Sequence, residues 1–60
     1  MKKTIDPNTG IIHYVNKNKK GAFNLFYLCM CEEESGINWE KVEDDREVNC
    51  LICQTYSKEN

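Results

Sequence analysis

The chain lacks a long hydrophobic segment and a signal-peptide pattern. Its longest apolar run, residues 25–31, is far shorter than the roughly 20 residues that cross a bilayer. Lys2 and Lys3 are followed by the polar segment 4–10, where a signal peptide would have an apolar stretch. We therefore expect a protein without membrane association, located in the cytoplasm.

Residue patterns that support catalysis are also missing. The three glycines, Gly10, Gly21 and Gly36, are isolated and form no phosphate-binding loop. With a single histidine, His13, the chain has neither a histidine–glutamate metalloprotease motif nor a nucleophile elbow. We therefore expect no enzymatic activity.

What the sequence does contain is two close pairs of cysteines. The first pair is Cys29 and Cys31, and the second is Cys50 and Cys53. Two such pairs across a medium-length gap are typical of a tetrahedral zinc site, because each short loop supplies two thiolates. Residues two apart on a strand face the same side, so the first pair can also reach one ion. The sequence predicts a structural Zn²⁺ bound by all four cysteines.

Three alternatives remain open for the cysteines, and the first is that one thiol binds no metal and packs in the core as a small hydrophobic residue. Four thiols in a secreted chain would form two disulfides, whereas a reducing cytosol keeps thiols free. His13 is an alternative metal ligand in place of one cysteine. A hairpin turning at residues 16–21 would set His13 opposite Asn24, about 16 Å along the strand from Cys29. That strand register argues against His13 as a metal ligand. A longer loop or a bulge would shift the register and make His13 a candidate ligand again.

The length of 60 residues limits what else can stabilise the fold. A chain this short buries only about 60% of its unfolded surface, so a metal would supply much of its stability. We expect one zinc-binding domain over residues 1–60. The predicted class is a small β-rich, zinc-ribbon-like fold, with β-hairpins, two cysteine knuckles and a short C-terminal helical turn. Strands are predicted at 3–5, 11–15, 24–31 and 37–42, with a helical turn at 51–57.

Several residues resemble a pattern found in small phage-type zinc-ribbon proteins. The matching elements are Ile12-His13-Tyr14, Leu28-Cys29 and Val48-Asn49-Cys50-Leu51-Ile52-Cys53. This resemblance implies His13, Cys29, Cys50 and Cys53 as ligands. The resemblance implies little about function. Together with the small size, the acidic C-terminal half and the two-faced apolar strand, it motivates the hypothesis of a phage or mobile-element accessory factor that binds and modulates a host protein in the host cytoplasm. The chain departs from the pattern by adding Cys31 and by lengthening the stretch between His13 and Cys29.

Charge is distributed unevenly along the chain. Residues 1–28 carry five lysines and one aspartate, a net charge of +4, whereas residues 29–60 carry a net charge of −6. The acidic run Glu32, Glu33 and Glu34 is a candidate for steering the protein to a basic surface of a partner. The basic turn predicted at 16–21 offers Lys17, Lys19 and Lys20 as alternative contacts to nucleic acid.

The aromatic segment 23–30 carries apolar residues on both faces. Phe26 and Leu28 lie on the face opposite the cysteines, and such a face is hard to bury in so small a domain. We therefore predict that the chain binds another protein or forms a homodimer. The remaining apolar residues predict a core made of Ile11, Val15, Phe23, Leu25, Tyr27, Trp39, Val42 and Val48.

Overall fold

The fold is a four-stranded antiparallel sheet followed by one short helix. A computed structural model describes residues 2–58. In chain order the elements are β1 (Lys3–Ile5), β2 (Ile12–Lys20), a 3-10 turn (Ala22–Asn24), β3 (Tyr27–Cys29), β4 (Glu40–Val42) and α1 (Leu51–Lys58). The strand order across the sheet is β3-β2-β1-β4. The predicted β-rich class with a C-terminal helical element is confirmed.

The β1–β2 hairpin forms where turn residues predict it. The Asp6 carboxylate accepts a hydrogen bond from the amide of Asn8 at 2.9 Å, and the Asp6 carbonyl accepts one from Gly10 at 2.7 Å. Gly10 has φ +73°, a backbone conformation that a side chain would strain. The turn returns the chain so that Thr4 pairs with His13 in the sheet.

The second hairpin differs from the prediction. Residues 16–20 are not a turn but the outer half of β2, and the chain reverses between Gly21 and Phe26, where the Gly21 amide bonds to the Phe26 carbonyl at 2.8 Å. β3 is correspondingly shorter than the predicted strand 24–31. A bulge in β2 absorbs the extra length, since the register shifts between Asn16 and Lys20. The outer half of β2 is exposed to solvent, and its polar side chains are compatible with that position.

Backbone and side-chain hydrogen bonds hold the residues just before α1 against the start of β2. Asn49 accepts a hydrogen bond from the Ile12 amide through its side chain at 2.7 Å, and its own amide donates to the Ile12 carbonyl at 3.3 Å. The amide of Cys50 donates to the same carbonyl at 3.2 Å. The first bond of α1 follows, from the Gln54 amide to the Cys50 carbonyl. The predicted helical turn is thus a short helix docked against β2.

The hydrophobic core is small. The buried apolar residues are Ile12, Cys29, Val42, Val48 and Cys53. The prediction that Phe23, Leu25 and Tyr27 belong to this core was wrong, because they lie on or beside the hairpin reversal and are 91%, 70% and 42% exposed. Among residues 2–58, no helix is long and apolar enough to span a membrane.

Candidate metal centre

Four soft ligands converge at one end of the sheet. They are the side chains of His13, Cys31, Cys50 and Cys53, whose ligand atoms all lie within 4.8 Å of one another. The Nδ1 atom of His13 is 3.5 Å from the Cys31 sulfur and 3.6 Å from the Cys53 sulfur. His13 and Cys53 are buried, and the other two are half-buried. These four residues could hold a metal ion.

The loop after β3 positions Cys31. Two backbone bonds of 2.8 Å close this loop, from the Glu32 amide to the Cys29 carbonyl and from the Cys29 amide to the Glu33 carbonyl. Glu32 takes a positive φ of 69°, so the chain turns sharply after Cys31. The strand therefore ends at Cys29, and the two cysteines no longer share one strand face.

The start of α1 positions the second pair. Cys50 immediately precedes the helix, and Cys53 lies within its first turn. Residues three apart on a helix lie on the same face, so both sulfurs can approach one ion. The hydrogen bonds between Asn49 and Ile12 hold this pair next to His13, the residue that follows Ile12 in β2.

The register of the second hairpin brings His13 into the cluster. Val15 pairs with Cys29, and continuing the same antiparallel pairing by two residues sets His13 opposite Cys31. The argument against His13 assumed a turn at residues 16–21. That assumption was wrong, because the chain reverses several residues later.

Two further contacts fix the orientation of the His13 ring. Its Nε2 atom faces a carboxylate oxygen of Glu33 at 3.5 Å. One ring face stacks on Trp39, with the ring centroids 5.1 Å apart and an interplanar angle of 24°. Nδ1 is thus directed at the sulfurs while Nε2 is directed at an anionic acceptor. Histidines that bind metals commonly show this arrangement, since the second ring nitrogen then donates to the carboxylate.

Cys29, which the sequence analysis places among the ligands, does not belong to the group of converging atoms. Its side chain is 1% exposed and packs in the core, on the strand position opposite Val15. The structure thus replaces Cys29 by His13 in the set of four. The physical reason is the end of β3, which leaves Cys29 in the sheet and lets only Cys31 turn toward His13.

Without an ion, the buried thiols favour the protonated form. Burial raises the pKa of Cys53 to about 12, and burial is also the main cause that raises the pKa of Cys31. Thiolates bind metals, so an ion at this position must displace the protons of these thiols. The positive charge of the ion supplies the free energy for that step.

The other predicted contact residues lie elsewhere. Lys17, Lys19 and Lys20 follow one another along the outer part of β2. Of these, Lys19 forms an ion pair of 3.4 Å with Glu32, and Lys20 lies 5.1 Å above the Tyr27 ring.

The predicted partner-contact residues divide among several positions. Glu33 faces His13, and Glu34 bridges to Leu28 beside the β3 strand. Phe26 and Leu28 are only half-buried. Phe23 and Leu25, which are 91% and 70% exposed, present more apolar surface than the two residues that the sequence indicated.

Two residues of the site have no signal in the sequence. Trp39 lies between the two cysteine pairs, and Asn49 precedes Cys50 without being a metal-ligand type; only the folded chain brings them to His13 and Ile12. Comparison of the chain with protein-family models, curated proteins and solved structures gives no match.

Proposed function

We propose that this chain is a structural zinc module that binds Zn²⁺ through His13 Nδ1 and the sulfurs of Cys31, Cys50 and Cys53. The observation that carries the proposal is the distance between donors. Zinc–sulfur bonds of about 2.3 Å and zinc–nitrogen bonds of about 2.0–2.1 Å in a tetrahedron separate sulfur from nitrogen by about 3.5 Å. The two distances from His13 Nδ1 to sulfur, 3.5 and 3.6 Å, agree with that separation.

The donor chemistry supports zinc and a structural role. A tetrahedral set of sulfur and imidazole donors favours zinc over calcium or magnesium, which prefer oxygen. Four protein ligands also fill a tetrahedral site, whereas a catalytic zinc keeps one position for water or substrate. The proposed contribution of the ion is therefore folding free energy, and the proposed compartment is the cytoplasm, where the thiols remain reduced.

The small core makes this contribution decisive. Five apolar residues are buried, and two of these are cysteines, one of them a proposed ligand. Structural zinc supplies roughly 10–16 kcal/mol in small domains, comparable to the whole stability of many proteins. We therefore expect the chain to fold with the ion and to lose its tertiary structure without it.

Native mass spectrometry of chain purified without chelator, followed by titration with a competing chelator, tests the proposal. One zinc per chain is the expected stoichiometry, and its removal should abolish the dispersion of the amide NMR spectrum. A metal-free, fully dispersed spectrum, or a mass showing two disulfides, would overturn it.

We further propose that the module binds another protein through the tip of the β2–β3 hairpin, residues 22–25. Phe23 and Leu25 are 91% and 70% exposed there, which is unusual for two large apolar side chains on one hairpin tip. Phe23 and Asn24 both have positive φ, at 61° and 55°. A bulky residue seldom adopts this conformation, and retained strain of this kind is frequent at binding sites.

Carboxylates near the tip indicate the chemistry of the partner. The Glu34 carboxylate lies against Gly21, the residue that precedes the tip, whereas the Glu32 carboxylate in the same loop is paired with Lys19. The occupant that this surface fits is an apolar pocket with a basic rim on another protein. Under the phage-type hypothesis, that partner is a host protein and the module is an accessory factor.

Site-specific photocrosslinking tests this second proposal. A benzophenone amino acid at position 23 should crosslink one protein in cells of the source organism, and the same amino acid at exposed Ile37 provides the control. The purified partner should then bind Phe23→Ser at least about ten-fold more weakly, because a buried aromatic anchor is lost. Equal affinity for this variant would exclude the tip. A crosslink only to a second copy of the chain would replace the partner by a homodimer.

A further inference from the structure

A lysine-lined groove runs across one face of the sheet. It consists of two adjoining cavities of about 440 and 770 Å³ that share Lys2, Val15 and Lys17 as lining residues. The lysines of this groove are Lys2, Lys3, Lys17, Lys19 and Lys41. No carboxylate lines either cavity among residues 2–58, although the chain has ten acidic residues. The groove therefore concentrates positive charge on an acidic protein.

Strand register explains why Lys2, Lys17 and Lys41 share a face. Thr4 pairs with His13 on one side and with Lys41 on the other, so these three positions face the same way. On β2 the alternation places Val15 and Lys17 on the face of His13. Lys2 lies two residues before Thr4, which extends the same face toward the edge of β1.

Three of the lysines are available to an anionic ligand. Lys3 donates to the carbonyls of Asp44 and Arg46, and Lys19 pairs with Glu32. Lys2, Lys17 and Lys41 are exposed and show no ion pair with the part of the chain that the structure describes. Lys2 and Lys17 line both cavities and Lys41 lines the smaller one, so the groove carries three charges without an ion-pair partner among the described residues.

Two aromatic rings line the same groove. Tyr27 is 42% exposed, and Trp39 is held in place by the His13 ring on which it stacks. Sites for single-stranded nucleic acids combine such rings, on which bases stack, with a positively charged groove that follows the phosphates. We propose that this groove binds single-stranded nucleic acid, with the phosphates along Lys2, Lys17 and Lys41 and bases against Tyr27 and Trp39.

The metal centre supports this surface without belonging to it. Trp39 contacts His13, so the zinc ligand and the base-stacking ring position one another. The site differs from the basic turn expected at residues 16–21, because Lys17 is joined by lysines of β4 and the N-terminal segment, while Lys20 lies over Tyr27. The inference is independent of the protein-binding tip.

Fluorescence anisotropy with labelled single-stranded DNA and RNA of about 15 nucleotides, within the usual site size, tests the proposal on the zinc-loaded chain. Affinity should fall with salt with a log–log slope of about −2, since three phosphates each contribute roughly 0.7 on single strands. Lys17→Glu should weaken binding at least about ten-fold, because the charge of a phosphate contact is inverted. Arg46→Glu makes the same charge change at an exposed residue that lines neither cavity and should change affinity far less.

A second variant distinguishes base stacking from the attraction between lysines and phosphates. Tyr27→Leu keeps an apolar side chain and should weaken binding about five-fold or more, because base stacking on an aromatic ring is lost. Each variant must retain one zinc and the native amide spectrum. Absence of binding at low salt, equal loss with Lys17→Glu and Arg46→Glu, or equal affinity for duplex DNA would overturn the proposal. An unchanged affinity of Tyr27→Leu would show that the groove binds polyanions in general, and it would also refute the proposal.

Discussion

The Nε2 atom of His13 lies 3.5 Å from a carboxylate oxygen of Glu33, so the ring has one nitrogen toward an anion and the other toward sulfur. The opposite nitrogen, Nδ1, faces Cys31 and Cys53 at 3.5 and 3.6 Å. This relationship favours the tautomer with the proton on Nε2 and frees Nδ1 for an ion. Glu33 is therefore a positioning residue of the proposed zinc site.

Replacing Glu33 should weaken zinc binding without removing a ligand. Glu33→Ala should lower the zinc affinity by about 10–100-fold, the usual effect of losing such an outer contact. Chelator competition measures the affinity, and ¹⁵N NMR of the imidazole measures the tautomer. Glu32→Ala is the matched control, because Glu32 pairs with Lys19 and not with His13. An unchanged affinity together with an unchanged tautomer in Glu33→Ala would show that the contact has no role.

Replacing single cysteines should distinguish Cys29 from the proposed zinc ligands. Cys31→Ser should lose tight zinc binding, because the hydroxyl is a much poorer donor than a thiolate. Cys29→Ala should keep one zinc per chain and lose only about 1 kcal/mol of packing free energy. Native mass spectrometry and cobalt substitution distinguish these results. Loss of the ion from Cys29→Ala, with retention by His13→Ala, would restore the four-cysteine site.

Zinc binding should release protons. Without the ion the thiols are mostly protonated at neutral pH, because the ordinary thiol pKa is about 8.5 and burial in any folded chain raises the pKa of Cys31 and Cys53 further. Binding to three thiolates and a neutral imidazole should therefore release about three protons, so that affinity falls by roughly 10³ per pH unit just below pH 8. Calorimetry in buffers of different ionisation enthalpy measures the number. Release of four protons would favour the all-cysteine site.

Cys29 should make the protein sensitive to alkali. Burial is the main cause that raises the pKa of Cys29 from 9.0 to about 12. The folded chain thus holds the Cys29 proton more tightly than the unfolded chain. This contribution to stability is fully present below pH 9 and declines as the pH rises toward 12.

Urea denaturation of the zinc-loaded chain between pH 8 and pH 10.5 measures this effect. The difference in unfolding free energy between the parent chain and Cys29→Ala should shrink above pH 9. A difference that grows with pH would contradict the assignment of Cys29 as a buried neutral thiol.

The hairpin tip should tolerate residues that suit its backbone. Phe23→Asn should leave the free energy of unfolding unchanged or raise it by about 1 kcal/mol, because asparagine adopts positive φ more readily and little burial is lost. Thermal denaturation at saturating zinc measures the change. Ile37→Asn replaces another exposed apolar residue and provides the control. A destabilisation of several kcal/mol would mean that Phe23 packs against the protein.

The sequence by itself determined the class of fold and the chemistry of the site. Asp6 and Gly10 predicted the first turn, because aspartate bonds readily to nearby backbone amides and glycine readily adopts positive φ. The spacing of Cys50 and Cys53 predicted a metal-binding knuckle, because both sulfurs lie on one short loop or helix turn. Such features depend on neighbours in the chain, and they could be predicted without tertiary contacts.

Only the tertiary structure decided between Cys29 and His13. The decision depended on where the second hairpin reverses, and the bulge between Asn16 and Lys20 shifts that register by several residues. Polar residues at 16–20 suit a turn and an exposed strand equally well, so local propensity does not distinguish them. Contacts between distant segments, such as those of His13 with Trp39 and Glu33, then follow from the register and not from any spacing in the sequence.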